Sequence, residues 1–176
     1  MVAFDNTILS LLIFPDADLR HGPDGQPLLH ARERVLSLVE HLERSREQVT
    51  IPAPALAELL VTEGFDIPEM LDTLRRSSFL RVESFDQRAA VELAIRLRAA
   101  KSAGNVRDGL PITKNAMKFD RQIVAIALVC GARVLYSDDR NVAVFAAGCG
   151  LPVLRIADLP LPTSQQLLEF GNAPDS

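Results

Sequence analysis

Five carboxylates stand where the sequence could do chemistry: Asp5, Glu58, Asp120, Asp138 and Asp139. Asp5 interrupts an apolar stretch, and Asn6 and Thr7 add two polar groups directly after it. Glu58 lies among Ala55, Ala57, Leu59 and Val61, where an acid is costly unless it is paired, hydrogen-bonded or bound to a cation. Clustered carboxylates repel one another unless protons or metal ions neutralise them. Oxygen ligands of this kind suit Mg²⁺ or Mn²⁺ rather than zinc. Two such ions would orient water as a nucleophile and stabilise the leaving oxygen of a phosphodiester. Each acid also has a plain structural reading: Asp120 as a helix cap, Asp138 or Asp139 as the cap of a helix at 141, Glu58 as a solvated helix residue. Whether the acids meet in space depends on the elements that carry them.

Those elements alternate. Val2-Ala3-Phe4 reads as a strand ending at Asp5, and residues 15–30, with Pro15, Pro23 and Pro27, read as a loop. Val35, Leu38, Val39 and Leu42 fall at helical spacing within 31–44. A strand over 49–51 leads to a helix opened by Pro52 and Pro54. A second helix carries Ile67, Met70, Leu71 and Leu74 on one face, and a strand follows at 79–82. A helix from Asp86 to about Lys101 precedes a loop at 102–118, after which Asp120 begins a helix that stops at Gly131. Arg133–Tyr136 is a strand ending at Ser137-Asp138-Asp139, then come a short helix over 141–147 and a last strand over 152–156. The order predicts an α/β fold, one domain over 1–157 with a mainly parallel sheet covered on both faces, and a peripheral tail over 158–176. In such sheets ligands bind beyond the carboxyl ends of the strands, where Asp5 and Asp138/Asp139 fall.

Four segments carry a resemblance: Phe4-Asp5-Asn6-Thr7-Ile8-Leu9, Ile51-Pro52-Ala53-Pro54-Ala55-Leu56-Ala57-Glu58-Leu59, Lys118-Phe119-Asp120-Arg121-Gln122-Ile123-Val124-Ala125-Ile126-Ala127, and Gly131-Ala132-Arg133-Val134-Leu135-Tyr136-Ser137-Asp138-Asp139-Arg140. In this order they resemble the PIN-domain nucleases. The resemblance implies a parallel sheet with flanking helices and an Mg²⁺- or Mn²⁺-dependent endoribonuclease. Asp5, Glu58 and Asp120 would match the family's first three acids, with Asn6, Thr7 and Ser137 as supporting polar residues. The family's Thr/Ser-x-Asp pattern favours Asp139 as the fourth acid, whereas the spacing from Asp120 favours Asp138, and both stay open. Many bacterial members are VapC-like toxins paired with an antitoxin protein, and a homodimer is a further implication. This chain departs from the compact toxin pattern in its 15–30 insertion and its length.

The whole chain of 176 residues has a formal charge of −4, which speaks against a simple basic nucleic-acid binder. The charge is uneven. Between Arg96 and Arg121 seven basic residues face two acidic ones, a net +5, so the remainder carries −9. A basic strip beside an acidic metal site could hold RNA phosphates, with Lys114, Lys118, Arg121 and Arg140 as the candidate contacts. With no Trp and a single Tyr, base stacking would rest on Phe. Cys130 and Cys149 lack metal-like spacing and read as free thiols. No apolar run reaches the roughly 18 residues of a spanning helix, and Ile8–Phe14 lacks a basic leader. The expectation is therefore a cytoplasmic protein without membrane partners. Two other classes compete: a receiver-type phospho-acceptor, which would need its paired acids after the first strand rather than late, and a non-catalytic RNA- or protein-binding module on the same fold.

Overall fold

The computed structural model describes residues 1–14, 26–61, 66–102 and 116–161. Most of the 15–30 loop, Lys114 and the tail from 162 lie outside the described residues. Five parallel strands form one sheet in the order β3-β2-β1-β4-β5: β1 (Val2–Phe4), β2 (Val49–Pro52), β3 (Leu80–Glu83), β4 (Leu135–Tyr136) and β5 (Val153–Leu154). This is the α/β architecture that the alternation of elements predicts. The register pairs Ala3 with Thr50 on one side and with Leu135 on the other, so β1 lies at the centre.

Seven α-helices are seen among the described residues: α1 (Asn6–Ile13), α2 (Ala31–Arg44), α3 (Ala53–Leu60), α4 (Ile67–Arg76), α5 (Gln87–Ser102), α6 (Ala116–Val129) and α7 (Arg140–Gly148). Alternation along β1 separates the two faces of the sheet. Val2 and Phe4 join Ile8, Val35, Leu42 and Leu59 on one side, while Ala3 joins Ile123, Val124 and Phe145 on the other. Each fully buried Ile or Phe contributes roughly 1.5–3 kcal/mol, and α1, α6 and α7 are anchored by such side chains. Across the central pair, the Phe4 and Tyr136 rings meet edge to face at 5.6 Å, a geometry aromatic quadrupoles favour.

Two helix ends set where β4 and β5 begin. After α6, the N–H of Gly131 donates to Leu128 O and that of Ala132 to Ala127 O. This pair of bonds closes the helix around a residue in the left-handed region, and Gly131 has φ +77°. After α7, Gly150 and Leu151 repeat the arrangement on Ala147 and Ala146. The first turn leads into the buried strand β4 and the second into the half-buried strand β5.

Three predicted boundaries differ by more than one residue: β4 covers only Leu135–Tyr136 of the expected 133–136, β5 only Val153–Leu154 of 152–156, and α6 starts earlier than expected. Asp120 does not begin its helix, because α6 already starts at Ala116 and places Asp120 in its second turn. Ala116, Met117 and Lys118 are good helix formers and extend the helix upstream. The capping explanation for Asp120 therefore falls away. No helix among the described residues is long and apolar enough to cross a membrane.

Candidate metal centre

The strand order makes β1 the point from which the chain winds outward in both directions, to β2 and β3 on one side and β4 and β5 on the other. The crevice beyond the carboxyl ends of β1 and β4 is thus a topological switch point, where open α/β sheets bind ligands. Asp5 follows β1 and Asp139 follows β4. Helices α3 and α6 pack against each other and bring Glu58 and Asp120 to the same crevice.

Asp5 is 2% exposed and serves as the N-cap of α1. Its Oδ1 accepts from the Asn6 backbone N–H at 2.7 Å, and its Oδ2 accepts from Ser137 Oγ at 2.6 Å. Ser137, fully buried, also accepts from the Asp139 backbone N–H at 3.0 Å. One hydroxyl therefore links the acid after β1 to the acid after β4, and a charge-assisted bond of this length is strong. Thr7 Oγ1 adds a second strap, accepting from the Asp138 backbone N–H at 3.0 Å. Thr7, two residues after the first acid, thus helps hold the β4 loop in place.

Asp138 and Asp139 have different surroundings. Asp138 Oδ1 accepts from the Ile156 backbone N–H at 2.9 Å and stands 3.9 Å from Arg155 Nε, which ties the β4 loop to the chain after β5. Asp139 caps α7, its Oδ1 accepting from Asn141 and Val142, and its charge reaches Glu58 and Asp120. Capping and membership of the acidic group are therefore not alternatives for Asp139.

Burial and mutual repulsion set the protonation of this group. Desolvation first, then the charges of Asp5, Asp120 and Asp139, push Glu58 up to about 7. Glu58 is nonetheless exposed by surface area, so it stands at a wet mouth, crowded from one side rather than enclosed. Asp120, only 8% exposed, rises to about 6 through desolvation and then the charges of Asp139 and Asp5. Its Oδ2 is buried without a hydrogen-bond partner among the described residues, as is Asn6 Oδ1. Buried acceptors of this kind are costly unless a donor or a cation meets them.

Among the described residues, no three His, Cys, Asp or Glu side chains stand close enough to share one metal ion as they lie. The four acids feel each other's charge across a space wider than one coordination shell, in which metal–oxygen distances are about 2.0–2.6 Å. The donor set itself, all oxygen with an unmatched buried acceptor and crowded negative charge, suits a hard divalent cation. For Asp5, Asp120 and Asp139 to hold it, their carboxylates would have to close around it, with Glu58 at the mouth.

The proposed RNA contacts fare unequally. Arg140, the first residue of α7, and Lys118 on α6 are exposed. Arg121 is only 9% exposed and lies over the Phe145 ring at 5.2 Å, a cation–π contact that locks α6 to α7 rather than offering a free guanidinium. Arg155, which the sequence reading passed over, lines a cavity of about 480 Å³ together with Ser137, Asp139 and Arg140. It follows the last strand, so the rule that ligands gather beyond strand ends was the signal that could have found it.

Fold and site together define an α/β protein with an acidic crevice at its switch point. No protein-family model matches the chain, and no curated protein matches it.

Proposed function

We propose that this protein is a divalent-metal-dependent endoribonuclease. The observation that carries the reading is the group Asp5, Glu58, Asp120 and Asp139, four acids from four separate segments whose charges act on one another at the switch point. The order of the four segments, which resembles the PIN-domain nucleases, supports it.

On this reading Asp5, Asp120 and Asp139 would close around Mg²⁺ or Mn²⁺. Such a cation, when bound, would supply Lewis-acid stabilisation of phosphate charge and a low-pKa water. The chain's own residues do the remainder. Ser137 fixes the Asp5 carboxylate through its 2.6 Å bond, Thr7 fixes the β4 loop, and Glu58, with a pKa near neutrality, holds or gives up a proton at the mouth. The RNA is the partner, and Arg140 and Lys118 lie on the solvent side for its phosphates.

The test is cleavage of a mixture of single-stranded and structured RNAs by the purified protein with Mn²⁺ and with EDTA. Cleavage should require the ion and vanish in Asp5→Asn. If diverse RNAs stay intact with Mn²⁺, the reading fails. Tight metal-free RNA binding that survives Glu58→Gln would then favour a non-catalytic module.

A further inference from the structure

The cavity of about 480 Å³ beside the acidic group has a composition that the ion-holding residues leave unexplained. One wall is the β4 loop, Ser137 to Asp139; the floor is the apolar face of α7, Ala143, Val144 and Ala147; the remaining walls carry Arg140 and Arg155. Among the described residues the Arg140 guanidinium makes no hydrogen bond or ion pair, and it sits at the first turn of α7. A cation there is electrostatically disfavoured by the helix dipole, so local helix stability does not account for it. The terminus of α7 is already capped by the Asp139 carboxylate, so an anion beside Arg140 would be drawn by the guanidinium itself.

Arg155 tells a related story. Its Nε is buried and lacks a hydrogen-bond partner, and it stands 3.9 Å from Asp138 Oδ1, which accepts from the Ile156 backbone N–H at 2.9 Å. Arg155 Nε is thus left with an unmet donor beside the cavity, on a side chain that is 39% exposed. Arginine matches phosphate oxygens in a bidentate way.

We propose that this cavity binds one nucleotide of the RNA strand next to the reacting phosphodiester, its phosphate between Arg140 and Arg155 and its ribose and base over Ala143, Val144 and Ala147. The inference rests on the ribonuclease reading and deepens it. Because Asp139 borders both the cavity and the acidic group, a strand held in the cavity enters the crevice by its neighbouring phosphate. The apolar floor lacks base-edge donors, so it would accept any base, and sequence preference would arise elsewhere along the strand.

The test measures binding apart from cleavage. Fluorescent single-stranded RNA of about a dozen nucleotides is titrated with Glu58→Gln protein in EDTA at several salt concentrations, with mononucleotide as a parallel ligand. Arg140→Ala should weaken RNA binding about tenfold, and with Arg155→Ala the slope of log K against log salt should flatten by roughly 0.7, one phosphate's worth for a single strand. Ala147→Phe, which fills the floor without touching charge, should weaken binding and leave that slope unchanged. Arg155→Lys should recover part of the affinity lost in Arg155→Ala. If wild-type protein cuts RNA while Arg140→Ala and Ala147→Phe bind like the parent, the cavity assignment is overturned and the nuclease reading stands. If wild-type protein neither binds nor cuts RNA, both fall. Binding of mononucleotide without RNA would overturn the assignment as well.

Discussion

The two ends of the sheet treat their acids in opposite ways. At the amino ends of the strands, Glu47 receives Arg133 Nε and Nη2 at 2.7 and 2.6 Å and the Met1 ammonium at 3.0 Å. The Arg133 bond, aided by the chain's amino group, pulls its carboxyl down to about 2. At the carboxyl ends, Glu58 and Asp120 are pushed up to about 7 and about 6 by desolvation and by other acids. One end pairs its charge and gains stability; the other concentrates like charge and loses it. Raised carboxyl groups gathered in a crevice are what makes this end of the sheet the candidate functional site.

The difference can be broken at several points. Glu58→Gln should lower Mn²⁺-dependent RNA cleavage by about 10³-fold, the several kcal/mol typical of a lost charge at a metal-assisted centre, while circular dichroism stays unchanged because the side chain is exposed. Asp120→Asn should make the ion-free protein more stable, by about 2–3 kcal/mol at pH 8 in urea unfolding. The sign follows from its raised pKa. Between pH 3.8 and about 6 the unfolded chain loses the proton while the native protein keeps it, so native stability falls as pH rises through that window. The gain from Asp120→Asn should therefore disappear below pH 3.8.

Smaller effects sharpen the same contrast. Ser137→Ala leaves Asp5 Oδ2 and the Asp139 N–H without their shared partner, which should cost about 1–2 kcal/mol of stability and reduce cleavage. Glu47→Gln should cost only about 0.5–1 kcal/mol near neutral pH, the scale of a partly exposed ion pair, and leave cleavage unaltered. With a depressed carboxyl, its contribution is complete above about pH 4.5 and is lost as pH falls towards 2.

The sequence made the alternation of strands and helices readable because period and turn residues are local. Gly131 marked the end of α6 for the same reason. The start of α6 was misplaced because Asp120 looks like a cap when only its neighbours are seen. Long-range partners decided the other points. Nothing near Asp138 in sequence announces that the Ile156 backbone occupies its oxygen, and nothing near Arg121 announces the Phe145 ring. The acids could be named individually from the sequence, but their mutual repulsion arises from the strand order around β1 and the packing of α3 on α6.

On the proposed function, Asp5, Asp120 and Asp139 close around one divalent cation with Glu58 at the mouth. The most direct test is calorimetric titration of the protein with Mn²⁺ at pH 6.5, in two buffers of different ionisation enthalpy, for wild type and Asp120→Asn. Saturable binding to wild type with release of protons is expected, since Glu58 is still largely protonated at that pH, together with at least tenfold weaker binding to Asp120→Asn. Absence of binding, binding without proton release, or equal affinity in Asp120→Asn would contradict the proposed site.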